Sequence, residues 1–152
     1  MRGPYWMIIV ALLLAACAPA APVESTLTPG GAQDGGQAVI VFERGGGIAG
    51  IHEVWTVYVD GTTKSAEGAG QAVAPAEVEA VMAEADRLGF WEMNAAYGTN
   101  DQCADCFTYS LTLTWAGMTK TVTTMDAASD APPELSELLA EVSQLVAKAQ
   151  GG

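Results

Sequence analysis

The stretch Phe107-Thr108-Tyr109-Ser110-Leu111-Thr112-Leu113-Thr114-Trp115 decides the fold. Aromatic or aliphatic side chains stand at 107, 109, 111, 113 and 115, and hydroxyl side chains fill every position between them. A period of two is that of a β-strand with one dry and one wet face, and such strands belong to antiparallel sheets covered on a single side. Ala116-Gly117 then turns the chain, and Thr119, Thr121 and Thr123 in the following segment continue the polar face on a returning strand.

The same alphabet occurs upstream. Residues 38–44 (AVIVFER) form a short β-branched and aromatic run, and residues 53–60 (EVWTVYVD) place Trp55, Val57 and Val59 on one face and Val54, Thr56 and Tyr58 on the other. Asp60-Gly61 is a hairpin-turn pair, and a short third strand is expected at 62–65, before a loose AEGAGQ segment. Two segments switch to helical spacing. Pro75 opens the first, with Val78, Val81, Met82, Ala85 and Leu88 on one stripe, Gly89 stopping it and Phe90 packing back on its last turn. Pro132 and Pro133 open the second, with Leu135, Leu138, Leu139, Val142, Leu145 and Val146 on its stripe; Glu134 and Glu137 near its start and Lys148 near its end suit the helix dipole. Residues 91–105 read as irregular. The order predicts an α+β fold of the ββαββα type: a mainly antiparallel sheet with both helices packed on one face, in two layers.

The first 37 residues have another character. Arg2 precedes an apolar run from Met7 to Leu14, too short for the roughly 20 residues that span a bilayer. Leu14-Ala15-Ala16-Cys17 looks like a bacterial lipobox. That resemblance implies a signal peptide over residues 1–16, lipidation of Cys17 with two acyl chains, enough for stable anchoring to a bacterial membrane, and an extracytoplasmic place in the cell envelope. Residues 17–37 then form the lipidated cysteine and a Pro-, Gly-, Ser- and Thr-rich linker without aromatics, a composition of disordered chain. As a coil of about 20 residues its reach is roughly 25 Å. Residues 38–150 are left as a single α+β domain.

The chain holds 18 acidic and 6 basic residues, a formal net charge of −12. With no basic cluster, its surface repels nucleic acid and anionic lipid. No nucleophile elbow and no pair of metal-binding histidines is present, and an acidic surface offers no way to single out two catalytic carboxylates. An enzyme is therefore not expected, and neither is a cofactor.

Three patterns carry potential chemistry. Gly45, Gly47 and Gly50 spell G-x-G-x-x-G after a strand, but strand composition follows where a dinucleotide fingerprint needs a helix N-terminus. The segment reads instead as a flexible loop between strands, able to press close to a partner. Cys103-Ala104-Asp105-Cys106 has redox spacing, yet Asp105 adds negative charge where a reactive thiolate needs positive, and a strand follows. With Cys17 lipidated, Cys103 and Cys106 are the two thiols left outside the cytoplasm, which makes a structural disulfide the expectation. Zinc there lacks two ligands, since His52 is the single histidine and lies far along the chain. Asn100, Asp101 and Asp105 are candidate calcium ligands without the spacing of a calcium loop, and such residues in turns usually bind their own backbone. No metal is expected.

Arg44-Gly45-Gly46-Gly47-Ile48-Ala49-Gly50 between two strands resembles the Arg-Ser-Gly-Gly-Phe-Ala-Gly signature of emfourin-like proteins, the protealysin-inhibitor family that blocks thermolysin-type metallopeptidases. The later order is similar too: a helix ending in Gly89-Phe90, an aromatic strand with Tyr109-Ser110-Leu111-Thr112, a hairpin, and a closing helix opened by Pro133 and Leu135. The resemblance covers most of residues 38–146. Gly45 stands where the family has serine and Ile48 where it has phenylalanine, while residues 61–71 and the Cys103–Cys106 turn look like additions. The resemblance implies a partner-binding loop made of Arg44, Gly45, Gly46, Gly47, Ile48, Ala49, Gly50 and Ile51, with a metallopeptidase as protein partner. The alternative is a structural or accessory envelope lipoprotein that docks to a membrane complex or ligand through its sheet edge.

Overall fold

The computed structural model describes residues 36–99 and 103–151, so residues 1–35, with Cys17 and nearly all of the linker, and Asn100 and Asp101 lie outside the described residues. The alternating stretch forms strand β5 (Phe107–Trp115), which pairs antiparallel with β6 (Met118–Met125) and with β1 (Ala38–Gly46). On its other side β1 pairs with β2 (Ile51–Tyr58), followed outward by β3 (Thr63–Ser65) and β4 (Gly68–Ala69). The result is a six-stranded antiparallel sheet in the order β4-β3-β2-β1-β5-β6 with two helices, α1 (Pro75–Arg87) and α2 (Pro133–Ala149), an α+β fold.

Register builds the core. Phe42 stands opposite Trp55 on one side and Leu111 on the other, Ile40 opposite Val57 and Leu113, and Leu111 opposite Val122. All of these are buried, so four strands contribute to one apolar face. A bulge between Ala38 and Ile40 breaks the alternation at the start of β1, and Val39 and Ile40 are both buried there. Val78, Val81, Met82 and Ala85 of α1 and Leu135, Leu138, Val142, Leu145 and Val146 of α2 complete the core. The opposite face is wet: Thr112 and Thr121 exchange a hydroxyl hydrogen bond of 2.8 Å across β5 and β6, and Thr114 and Thr119 one of 3.1 Å.

Both helix starts follow the prolines. Pro75 and Pro133 occupy the first turn, and Glu77 Oε2 accepts a hydrogen bond from Ala74 N at 3.1 Å, satisfying a backbone donor at the start of α1. Gly89 takes a left-handed conformation after α1 and sends the fully buried Phe90 back into the core. Between the helices, Lys148 pairs with Glu77 and Arg87 with Glu137, surface ion pairs of small individual worth.

Three details differ from the sequence reading. The AEGAGQ segment contains β4 rather than only loose chain. A 3₁₀ turn at Phe90–Glu92 and a parallel bridge from Ala96 to Thr123 order part of the stretch taken as irregular. Val59 and Trp115, placed by alternation on apolar faces, are each about two-fifths exposed because they lie at strand ends. These additions also shape the edges: β4 has two residues, while residues 95–97 line part of the outer side of β6, with Tyr97 N donating to Thr123 O and Thr123 N to Ala95 O, both at 2.9 Å.

Leu111 is fully buried at the centre of this register. Leu111→Ala is expected to cost about 2–5 kcal/mol in urea unfolding, against less than about 1 kcal/mol for Thr112→Ala on the wet face.

Candidate functional site

The ladder between β1 and β2 runs further than the sequence suggests. Arg44 pairs with Glu53, Gly45 with His52 and Gly46 with Ile51, so four of the eight candidate loop residues are strand and the connection shrinks to Gly47, Ile48, Ala49 and Gly50. Gly50 N donates to Gly47 O at 3.0 Å and closes the turn. Ile48 at its tip is 89% exposed, the most exposed of the large apolar side chains among the described residues.

The turn is braced from below by β5 and the segment before it. Gly46 lies opposite Phe107, and Gly47 N donates to Cys106 O at 3.2 Å. A Cβ on Gly46 would stand 2.5 Å from that carbonyl oxygen, and one on Gly47 would stand 2.8 Å from the Phe107 ring. Both residues also have positive φ, +110° and +70°. These glycines are therefore sites of close approach, and the expectation of a flexible loop is corrected to a packed hairpin tip. Cys103 and Cys106 sit at disulfide distance, their Cα atoms 5.5 Å apart, and so staple the turn that presents the Cys106 carbonyl.

Beside the tip, Arg44 bridges to Glu53 at 2.9 Å and lies over the Phe107 ring, 5.1 Å from its centroid. Arg44 Nε is buried with no acceptor among the described residues. Rings continue along β5: Phe107 contacts Tyr109 at 6.5 Å between centroids, and Tyr109 contacts Phe42 at 6.3 Å. Asp126 after β6 ties this end together, accepting from Phe107 N at 3.0 Å and from the Tyr109 hydroxyl. Burial raises the Tyr109 phenol above its ordinary value, the Asp126 bond and charge raise it further, and the Arg44 charge pulls the other way. Tyr109, Thr124 and Asp126 also line a cavity of about 450 Å³ against Leu135 and Leu139 of α2.

No family model, no curated protein and no solved structure matches the chain.

Ile48 and Ala49 form the tip with Gly47 and Gly50, and Arg44 and Glu53 flank it, whereas His52 is exposed on the wet face. Among the described residues no three His, Cys, Asp or Glu side chains converge as metal ligands; Asp105 is exposed, and its proposed companions Asn100 and Asp101 lie outside those residues. Sequence reasoning missed the bracing role of Phe107, counting it as one more member of an apolar stripe. No local signal announces it, because the contact arises only once the glycine end of β1 is laid antiparallel against the Phe107 end of β5.

Two outcomes follow from this geometry. Reducing Cys103–Cys106 closes no long loop in the unfolded chain, so the stability loss is expected to stay at about 2 kcal/mol or less, while hydrogen exchange at the Gly47 amide rises and that of the Leu111 amide does not. In an ultraviolet pH titration read as the difference between the native chain and Tyr109→Phe, the Tyr109 transition lies above the ordinary phenol value of 10.0, and Asp126→Asn moves it down. Because the folded-state value is raised, the associated stability is fully present below the unfolded phenol pKa and is lost as pH rises through the folded one.

Proposed function

We propose that this chain is a lipid-anchored, extracytoplasmic protein-binding lipoprotein whose β1–β2 tip inserts into the substrate cleft of a thermolysin-type metallopeptidase and blocks it. The observation that carries this reading is Ile48, 89% exposed on a turn whose backbone is fixed at both ends. An apolar side chain carried on a backbone that is already fixed spares the backbone ordering cost on entering a subsite, which is how a small contact gains affinity. The resemblance of residues 44–50 to the emfourin signature supplies the protease class. Lipidation at Cys17, argued from Leu14-Ala15-Ala16-Cys17, supplies the location.

Such a tip resists productive cleavage for a backbone reason. Gly46 and Ile51 are paired to each other, Gly46 is paired again to Phe107, and Gly47 N is held by Cys106 O. A protease that needs its substrate extended must first break these contacts, so occupancy outlasts turnover. Blocking of this kind requires no catalytic residue in the inhibitor. The sheet edges support a tip rather than an edge as the docking element, since β4 offers two residues and residues 95–97 already bond to β6.

The test is titration of the purified full chain against a thermolysin-type protease, with the chain analysed by mass spectrometry afterwards. Saturable inhibition with an uncut chain is expected. Ile48→Asp is expected to raise the inhibition constant by at least about thirtyfold, while shifting stability by less than about 0.5 kcal/mol because the side chain packs on nothing. A folded chain that leaves the protease fully active would sink the reading.

A further inference from the structure

Among the described residues four large apolar side chains are exposed, and they do not share one place. Ile48 occupies the β1–β2 tip. Val59, Trp115 and Met118, exposed by 42, 40 and 51%, gather at the other end of the sheet. Trp115 and Met118 face each other across the Ala116-Gly117 turn. Antiparallel register sets this end: Ile40 near the start of β1 pairs with Leu113, two residues before Trp115, and Ala38 pairs with Tyr58, one residue before Val59.

The chain enters the domain at this same end. Val59 N donates to Gln37 O at 3.0 Å, and Gly36 N donates to Asp60 Oδ2 at 3.4 Å. The residue proposed to carry lipid, Cys17, is separated from Gly36 by 18 residues outside the described part of the chain, whose composition predicts a flexible tether with a reach of roughly 25 Å. That tether keeps the entry end at high effective concentration beside the bilayer, so contacts too weak to bind alone become populated. Tryptophan, with an apolar ring and a polar N–H, is the side chain favoured at the headgroup boundary.

We propose that Trp115, Met118 and Val59 form a membrane-contact patch that stands the domain end-on upon a zwitterionic bilayer. This rests on the reading that Cys17 is lipidated. The β5–β6 turn from Trp115 to Met118 carries no charge, and the net charge of −12 on the chain opposes an anionic surface, so neutral lipid is the matching partner. End-on docking has a functional consequence. β1 is nine residues long, which separates the patch from the Ile48 tip by roughly 30 Å and aims the tip away from the lipid.

The full chain, extracted from membranes of a bacterium that acylates it, is reconstituted into phosphatidylcholine vesicles containing lipids brominated near the headgroup. Flotation reads the anchor and tryptophan quenching reads the docking. The expected result is co-flotation with quenching, loss of most of that quenching in Trp115→Phe with flotation unchanged, and weaker quenching when phosphatidylglycerol replaces part of the neutral lipid. Flotation without any Trp115-dependent quenching overturns the docking and leaves the anchor standing. Failure of the chain to float, matched by an indistinguishable Cys17→Ser variant, removes the anchor and the docking together. Trp115 emission that ignores brominated lipid but shifts to shorter wavelength with protein concentration assigns the patch to a second copy and also overturns bilayer contact.

Discussion

The double pairing of β1 is the constraint on which the molecule depends. Its residues are hydrogen-bonded to β2 on one side and β5 on the other, and its side chains change character along its length. At Ile40 and Phe42 it brings branched and aromatic groups under the helices, where each meets apolar partners from both neighbouring strands. At Gly45 and Gly46 it offers no side chain at all. The core therefore ends where the glycines begin, and the space left at Gly46 admits the Cys106 carbonyl, as that at Gly47 just beyond admits the Phe107 ring. One strand thus separates a packed body from a braced tip, with Arg44 and Glu53 at the border. Replacing the glycine end with ordinary residues would have lengthened the core and removed the surface on which β5 supports the turn.

Much of this architecture was legible because it is written in local periodicity. Alternation in Phe107–Trp115 and helical spacing after Pro75 and Pro133 depend on residues within one element, and the structure follows them closely. What was not legible depends on pairing across distance. Gly68 and Ala69 have no strand propensity and become β4 because Lys64 and Ser65 lie opposite them. Ala96 is bridged to Thr123, which nothing in the intervening sequence announces. Gly45 and Gly46 read as loop for the same reason: their pairing is imposed by neighbours on both sides, not by their own preferences.

The candidate site shows this division more sharply than the fold. The motif at residues 44–50 could be found by inspection, and so could the cysteine pair, but not that Cys106 O and Gly47 N meet. Without that contact a glycine-rich turn suggests mobility; with it, the same composition marks a place where two backbones are pressed together. Exposure was equally hidden. Ile48 and Phe107 are both apolar residues near a strand end, yet one is free at the tip and the other lies beneath Arg44 and Gly47. Alternation likewise treated Trp115 as the equal of Leu113, although the helices cover only the second.

Charge adds a selectivity that neither apolar end supplies. Of the five described cations, four are held locally: Arg44 is matched to Glu53, Arg87 to Glu84 and Glu137, and Lys148 to Glu77, the Lys120 ammonium is held by the carbonyl oxygens of Trp91 and Met93, and Lys64 on β3 is exposed. With those four committed locally, the excess of carboxylates sets the far field of the domain. Such a field favours approach to a basic protein surface and opposes approach to nucleic acid or anionic lipid at distances up to about a Debye length. Under the two proposals made above, close contact falls to uncharged groups, Ile48 at one end and Trp115, Met118 and Val59 at the other, all of them exposed. On those proposals, long-range repulsion would narrow the set of partners and short-range apolar contact would hold the one that arrives, so discrimination would need no chemically reactive group.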